Sequence, residues 1–60
     1  MVMVYRFRVL DPVTGDWVVQ LSKATLSRIS MLGGRIIEGS EEEVPKASTD
    51  ADGYYRFPSH

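Results

Sequence analysis

Polar and apolar positions alternate from Val2 to Leu10. In an extended chain this places Met3, Tyr5, Phe7 and Val9 on one face of a strand and Val4, Arg6, Arg8 and Leu10 on the other. The first set is the better core face. Asp11-Pro12-Val13-Thr14-Gly15-Asp16 then reads as a turn: proline presets φ, aspartate can bond its own backbone, and glycine reaches positive φ. Trp17-Val18-Val19-Gln20-Leu21 is the expected return strand, with Trp17, Val19 and Leu21 facing the core and Val18 and Gln20 facing away. Together the two segments predict a β-hairpin.

The stretch from Ser22 to Gly34 reads as one short helix over about residues 23–32. Ser22 is placed to cap its first turn and Gly33 or Gly34 to end it. Leu26, Ile29 and Leu32 fall three apart and predict one apolar stripe packed on the hairpin, with Met31 on a different side. Arg35-Ile36-Ile37-Glu38 is a strand candidate, broken by Gly39-Ser40. Glu41 to Pro45 can pair back at an edge. Residues 46–52 are polar and loop-like, Asp50-Ala51-Asp52-Gly53 is a turn, and Tyr54-Tyr55-Arg56-Phe57 is rich in strand formers. The expected architecture is α+β: a small antiparallel sheet, made of an N-terminal β-hairpin and one to three short strands, with one helix packed on one face. The expected order is β-β-α-β, followed by up to two more strands. One domain is expected over residues 1–57, with 58–60 as a frayed tail. The expected core is Tyr5, Phe7, Val9, Trp17, Val19, Leu21, Leu26, Ile29, Leu32 and Ile36.

Composition narrows the function. A chain of 60 residues buries only about 60% of its unfolded surface, so small domains lean on staples or partners. Cysteine is absent, which removes disulfides and thiolate metal sites and fits a reducing, cytoplasmic setting. No apolar run approaches the roughly 18 residues of a membrane span, and Met1 to Arg8 lacks the order of a signal peptide. Seven basic residues against eight acidic ones give a net charge of −1, which disfavours a dedicated nucleic-acid binder. The basic residues Arg6, Arg8, Lys23, Arg28 and Arg35 precede the acidic run from Glu38 to Asp52. Separate basic and acidic faces would suit head-to-tail contacts.

Candidate chemistry is sparse. His60, the last residue given, is the sole histidine, and the carboxylates of Glu38 and Glu41-Glu42-Glu43 read as a solvated surface. No catalytic, cofactor-binding or metal-binding residue is therefore assigned. Ser48 to Ser59 touches the calcium-loop pattern through Asp50, Asp52 and Gly53. It has serine at the first position and, at the twelfth, where a bidentate glutamate is needed, Ser59. The plainer reading is a turn. Tyr5-Arg6-Phe7-Arg8, Trp17 and Tyr54-Tyr55-Arg56-Phe57 interleave rings and cations, as sheets that bind single strands do, but alternation turns the rings inward. Val2, Val4, Leu10 and Val18 are left as spare apolar positions on the second sheet face. Either another chain or the chain's own segment 54–57 could cover them.

Lys23-Ala24-Thr25, Ile29, Gly33-Gly34, Ile36-Ile37-Glu38-Gly39 and Val44 resemble a pattern of short bacterial proteins of unknown function, over about residues 4–53. The resemblance implies a bacterial source and carries no activity. The residues favour a non-catalytic protein–protein interaction or accessory module without cofactor or small-molecule substrate. Its partner would be another protein or a second copy in a homodimer. The expected contact residues are Val4, Arg6, Arg8, Val18 and Met31. The alternative is single-stranded nucleic-acid binding through Arg6, Arg8, Arg56 and exposed rings.

Overall fold

The computed structural model describes residues 1–56; the expected strand end at Phe57 and the tail 58–60 lie outside the described residues. The elements are β1 (Val2–Tyr5), β2 (Phe7–Leu10), β3 (Trp17–Val19), β4 (Ala24–Thr25), α1 (Leu26–Met31), β5 (Arg35–Ile36) and β6 (Glu42–Val44), followed by a 3-10 turn over Lys46–Ser48. They form two antiparallel three-stranded sheets, β4-β1-β6 and β3-β2-β5, with one helix, a small α+β fold. The hairpin expected around the Asp11–Asp16 turn is present as β2 and β3, in the register Leu10 opposite Trp17.

The single alternating run from Val2 to Leu10 is two strands. Arg6 separates them, and the chain passes there from the centre of one sheet to the centre of the other. A break inside a sheet leaves backbone groups that need partners. Here the Arg6 N–H donates to Ser40 Oγ at 3.0 Å and the Arg6 carbonyl accepts from the Ile37 N–H at 2.9 Å. The Ser40 hydroxyl donates to the carbonyl of Ile37. The segment between β5 and β6 is thus pinned against the crossing point.

The helix is shorter than its sequence signals suggest, and Ser22 is not its cap. Residues 24–25 extend as a strand beside β1, so the helix starts one turn later. Thr25 Oγ1 accepts from the Arg28 N–H. The expected end holds: Gly33 has φ +66°, its N–H donates to Ser30 O, and the Gly34 N–H donates to Ile29 O. These are the two bonds of a Schellman motif, which a left-handed glycine allows without a Cβ clash.

The buried set is Val4, Phe7, Ala24, Ile29 and Val44. Phe7, Ala24 and Ile29 form the cluster under the helix, with Tyr5, Val9 and Tyr54 packed against it. Tyr5, Phe7, Val9 and Ile29 thus belong where their spacing placed them. Trp17, Val19, Leu21, Leu26, Leu32 and Ile36 are exposed, Leu21 at 99%. A helix of six residues turns only Ile29 fully inward, because Leu26 and Leu32 lie at its two ends. Val4, Ala24 and Val44 replace them: β1 is the central strand of its sheet, and Val4 is 0% exposed.

Residues 50–56 clasp β4 and the helix. The Thr25 N–H donates to Gly53 O at 2.9 Å and the Tyr55 N–H to Lys23 O at 2.8 Å. Arg28 Nε donates to the Asp52 carbonyl, and the guanidinium lies 5.9 Å from the Tyr54 ring centroid. Gly53 has φ +88°, and a Cβ there would lie 2.7 Å from Thr25 Oγ1, the atom that caps the helix. Gly53→Ala is therefore expected to cost about 1–2 kcal/mol through backbone strain alone. Thr25→Ala costs about 1 kcal/mol through the lost cap. Because a methyl at 53 already displaces the cap, the double variant should lose less than the sum of the two. Urea unfolding of the three variants measures this.

Candidate functional site

The hairpin loop determines which side chains share a face. It runs from Asp11 to Asp16 and is closed by the Asp11 N–H donating to Asp16 O at 2.8 Å. The Asp11 carboxylate accepts from the Val13 N–H at 2.8 Å. Six loop residues set Leu10 opposite Trp17, Val9 opposite Val18 and Arg8 opposite Val19. On the other side of β2, Arg8 lies opposite Arg35 and Phe7 opposite Ile36. Directly opposed residues share a face. Phe7, Val9, Val18 and Ile36 therefore belong to the inner face. Arg8, Leu10, Trp17, Val19 and Arg35 form the outer one.

This corrects the expected pairing of faces. Trp17 and Val19 were assigned to the core with Phe7 and Val9. The register turns them outward, because a change of one residue in register reverses every side chain of a strand. The signal was in the chain: a six-residue turn over Asp11–Asp16 sets Trp17 opposite Leu10, and the alternation of the first strand puts Leu10 on the face of Arg8.

The expected contact set does not form one surface. Val4 is fully buried in β1, so it cannot meet a partner from the folded state. Val18 points to the face opposite that of Arg8. Arg6 is exposed at the crossing between the sheets, and Met31, 74% exposed, sits on the last turn of the helix. Of the set, Arg8 lies on the outer face just defined. In the nucleic-acid alternative, Arg56 is engaged elsewhere, its Nε donating to Asp50 Oδ2 at 2.9 Å.

The outer face combines apolar surface with unpaired cations. Leu10, Trp17 and Val19 are 50%, 40% and 42% exposed. The guanidinium of Arg35 lies 4.7 Å from the Trp17 ring centroid, within cation–π range. Lys23, Arg28 and Arg56 pair with Glu42, Asp52 and Asp50, whereas Arg8 and Arg35 make no ion pair among the described residues. Like charges directly opposite each other across a ladder destabilise a sheet. Arg8 and Arg35 are such a pair, held on one exposed face.

The Asp50 turn is explained by its own backbone. Asp50 Oδ1 accepts from the N–H groups of Tyr54 and Asp52, both at 3.0 Å, and Oδ2 accepts from Arg56. The Tyr54 N–H and the Arg56 side chain hold this carboxyl below the usual carboxylate range. The position matched to the first of the calcium pattern, Ser48, uses its carbonyl to accept from the Arg56 N–H, and Ser59 lies outside the described residues. Among the described residues no three His, Cys, Asp or Glu side chains converge as a metal site, and no helix is long and apolar enough to cross a membrane.

No protein-family model, curated protein or solved structure matches the chain.

Two outcomes follow from this geometry. Arg8→Thr relieves the opposed arginines and should stabilise the domain by about 0.2–1 kcal/mol. That corresponds to a few degrees in Tm for a chain this small. The gain should shrink in high salt, which screens surface repulsion, and thermal melts at two ionic strengths will show it. Asp50→Asn should lower Tm at neutral pH. The folded-state pKa of Asp50 is depressed, so its contribution is present above the unfolded-state pKa and is lost as pH falls through the folded value. The gap between wild type and Asp50→Asn should therefore close in acid, as followed by melts from neutral pH downward.

Proposed function

We propose that the chain is a non-catalytic protein–protein interaction module that docks its partner on the outer face of the β3-β2-β5 sheet. The observation that carries the reading is the union of Leu10, Trp17 and Val19 with the unpaired Arg8 and Arg35 on one exposed surface. Tryptophan and arginine are the side chains most enriched among residues that dominate binding energy at protein interfaces. Apolar neighbours that exclude water would complete such a centre. None of these five side chains is a nucleophile or a proton shuttle.

Burial supports the same reading. Twelve large hydrophobic side chains are exposed among the described residues, against five buried hydrophobic ones, one of them an alanine. A domain this small gains from covering part of that surface with another chain. The edge strand β3 adds directional contacts. In its ladder with β2, Gln20 donates to Phe7 O and Asp11 to Asp16 O, so Val18 faces β2 as well. The backbone groups of Trp17 and Val19 accordingly point to the open edge, where an extended segment could add.

Site-specific crosslinking in the native cell tests the reading. A photoreactive residue at Val19 should give protein adducts of discrete mass, while the same residue at Thr14 in the hairpin loop should not. Nuclease-sensitive adducts at Val19 would overturn the protein reading in favour of single-stranded nucleic acid, whose bases can stack on Trp17 beside Arg35.

A further inference from the structure

We propose that the partner seated on this face is a second copy of the same chain, presenting the acidic edge of its β6 in a head-to-tail contact. The inference rests on the reading of the outer face as a docking surface and names its occupant. β6 (Glu42–Val44) and β3 (Trp17–Val19) are edge strands of different sheets and have the same length, three residues. Glu42 is held by Lys23 at 2.9 Å, but Glu41 and Glu43 are exposed and make no ion pair among the described residues. Glu43 lies opposite Met3, itself 38% exposed, so this edge also pairs carboxylates with an apolar contact. The chain therefore carries an unpaired basic and apolar face on β3-β2-β5 and an unpaired acidic and apolar edge at β6. The two do not meet within one molecule.

Charge decides the geometry of association. An isologous contact through the outer face would bring Arg8 and Arg35 of one copy against the same residues of the other, repelling across the interface. An isologous contact through β6 would do the same with Glu41 and Glu43. The head-to-tail arrangement is the one in which both charge sets find opposite partners. Arg8 lies on the central strand β2 and Arg35 on the far strand β5, so the partner's β6 lies across the outer face, over Trp17 and Leu10, for Glu41 and Glu43 to meet the arginines. Such a heterologous contact makes a ring if the rotation closes and an open chain if it does not.

Sedimentation velocity over a range of protein concentrations tests this. At low salt the wild-type sedimentation coefficient should rise with concentration, and about 1 M salt, where the screening length is about 3 Å, should suppress the rise. Arg8→Glu with Arg35→Glu in one variant, and Glu41→Arg with Glu43→Arg in another, should each sediment as a monomer. An equimolar mixture should associate again, because the reversed face of one variant now meets the reversed edge of the other. All four positions are exposed, and circular dichroism will establish that both variants fold. A wild type that remains monomeric at every concentration would overturn the proposal, as would association that survives in both variants. The docking reading fails separately: if Val19 crosslinks to a different protein while the wild type is monomeric, the face stands and the second copy falls. If Val19 gives no adduct and the chain is monomeric, both fall.

Discussion

The structure depends on the crossing at Arg6. One run of nine residues, Val2 to Leu10, supplies the central strand of both sheets, and it can do so only if the backbone bends between Tyr5 and Phe7 without leaving polar groups unsatisfied. Ser40 and the Ile37 N–H provide that satisfaction, from a segment more than thirty residues further along. With the crossing fixed, Phe7 lies under the helix beside Ala24 and Ile29, while Val4 is enclosed in the other sheet. The placement of β5 and β6 follows, since the segment joining them is the one that holds the crossing.

The same arrangement accounts for the exposed apolar side chains. Two three-stranded sheets and a six-residue helix cover one another over a small area. The edge strand β3 is left exposed along its length, and its outer face carries Trp17 and Val19. Opposed arginines on the neighbouring strands persist against their mutual repulsion. This is the arrangement on which the proposed docking surface rests.

Much of the fold was legible. The Asp11–Asp16 turn, the glycine that ends the helix, the strand break at Gly39-Ser40 and the Asp50–Gly53 turn each rest on local backbone chemistry, and each is where the residues placed it. The class of fold, a small antiparallel sheet architecture with one helix, follows from those signals. What alternation could not show was that the first strand belongs to two sheets, since period-two patterning reads the same through a bend. Nor could it show the helix start. Ser22 and Thr25 are both competent caps, and the choice was made by the pairing of Ala24 and Thr25 with β1. The outer face was missed for one reason, the parity of the hairpin loop. Counting that loop as six residues moves Trp17 from the core to the surface and assembles Arg8, Leu10, Trp17, Val19 and Arg35.

The clasp formed by residues 50–56 also bears on motion. Its attachments are the backbone bonds to Lys23 and Thr25, the Arg28–Asp52 ion pair and Tyr54, the side chain it contributes to the core cluster. It also receives the Thr25 N–H through Gly53 O, at the residue that caps α1. Opening of the clasp therefore releases the first turn of the helix at the same moment. The clasp and the helix start therefore form one linked unit, separate from the central strands β1 and β2, which are anchored by the buried Val4 and Phe7.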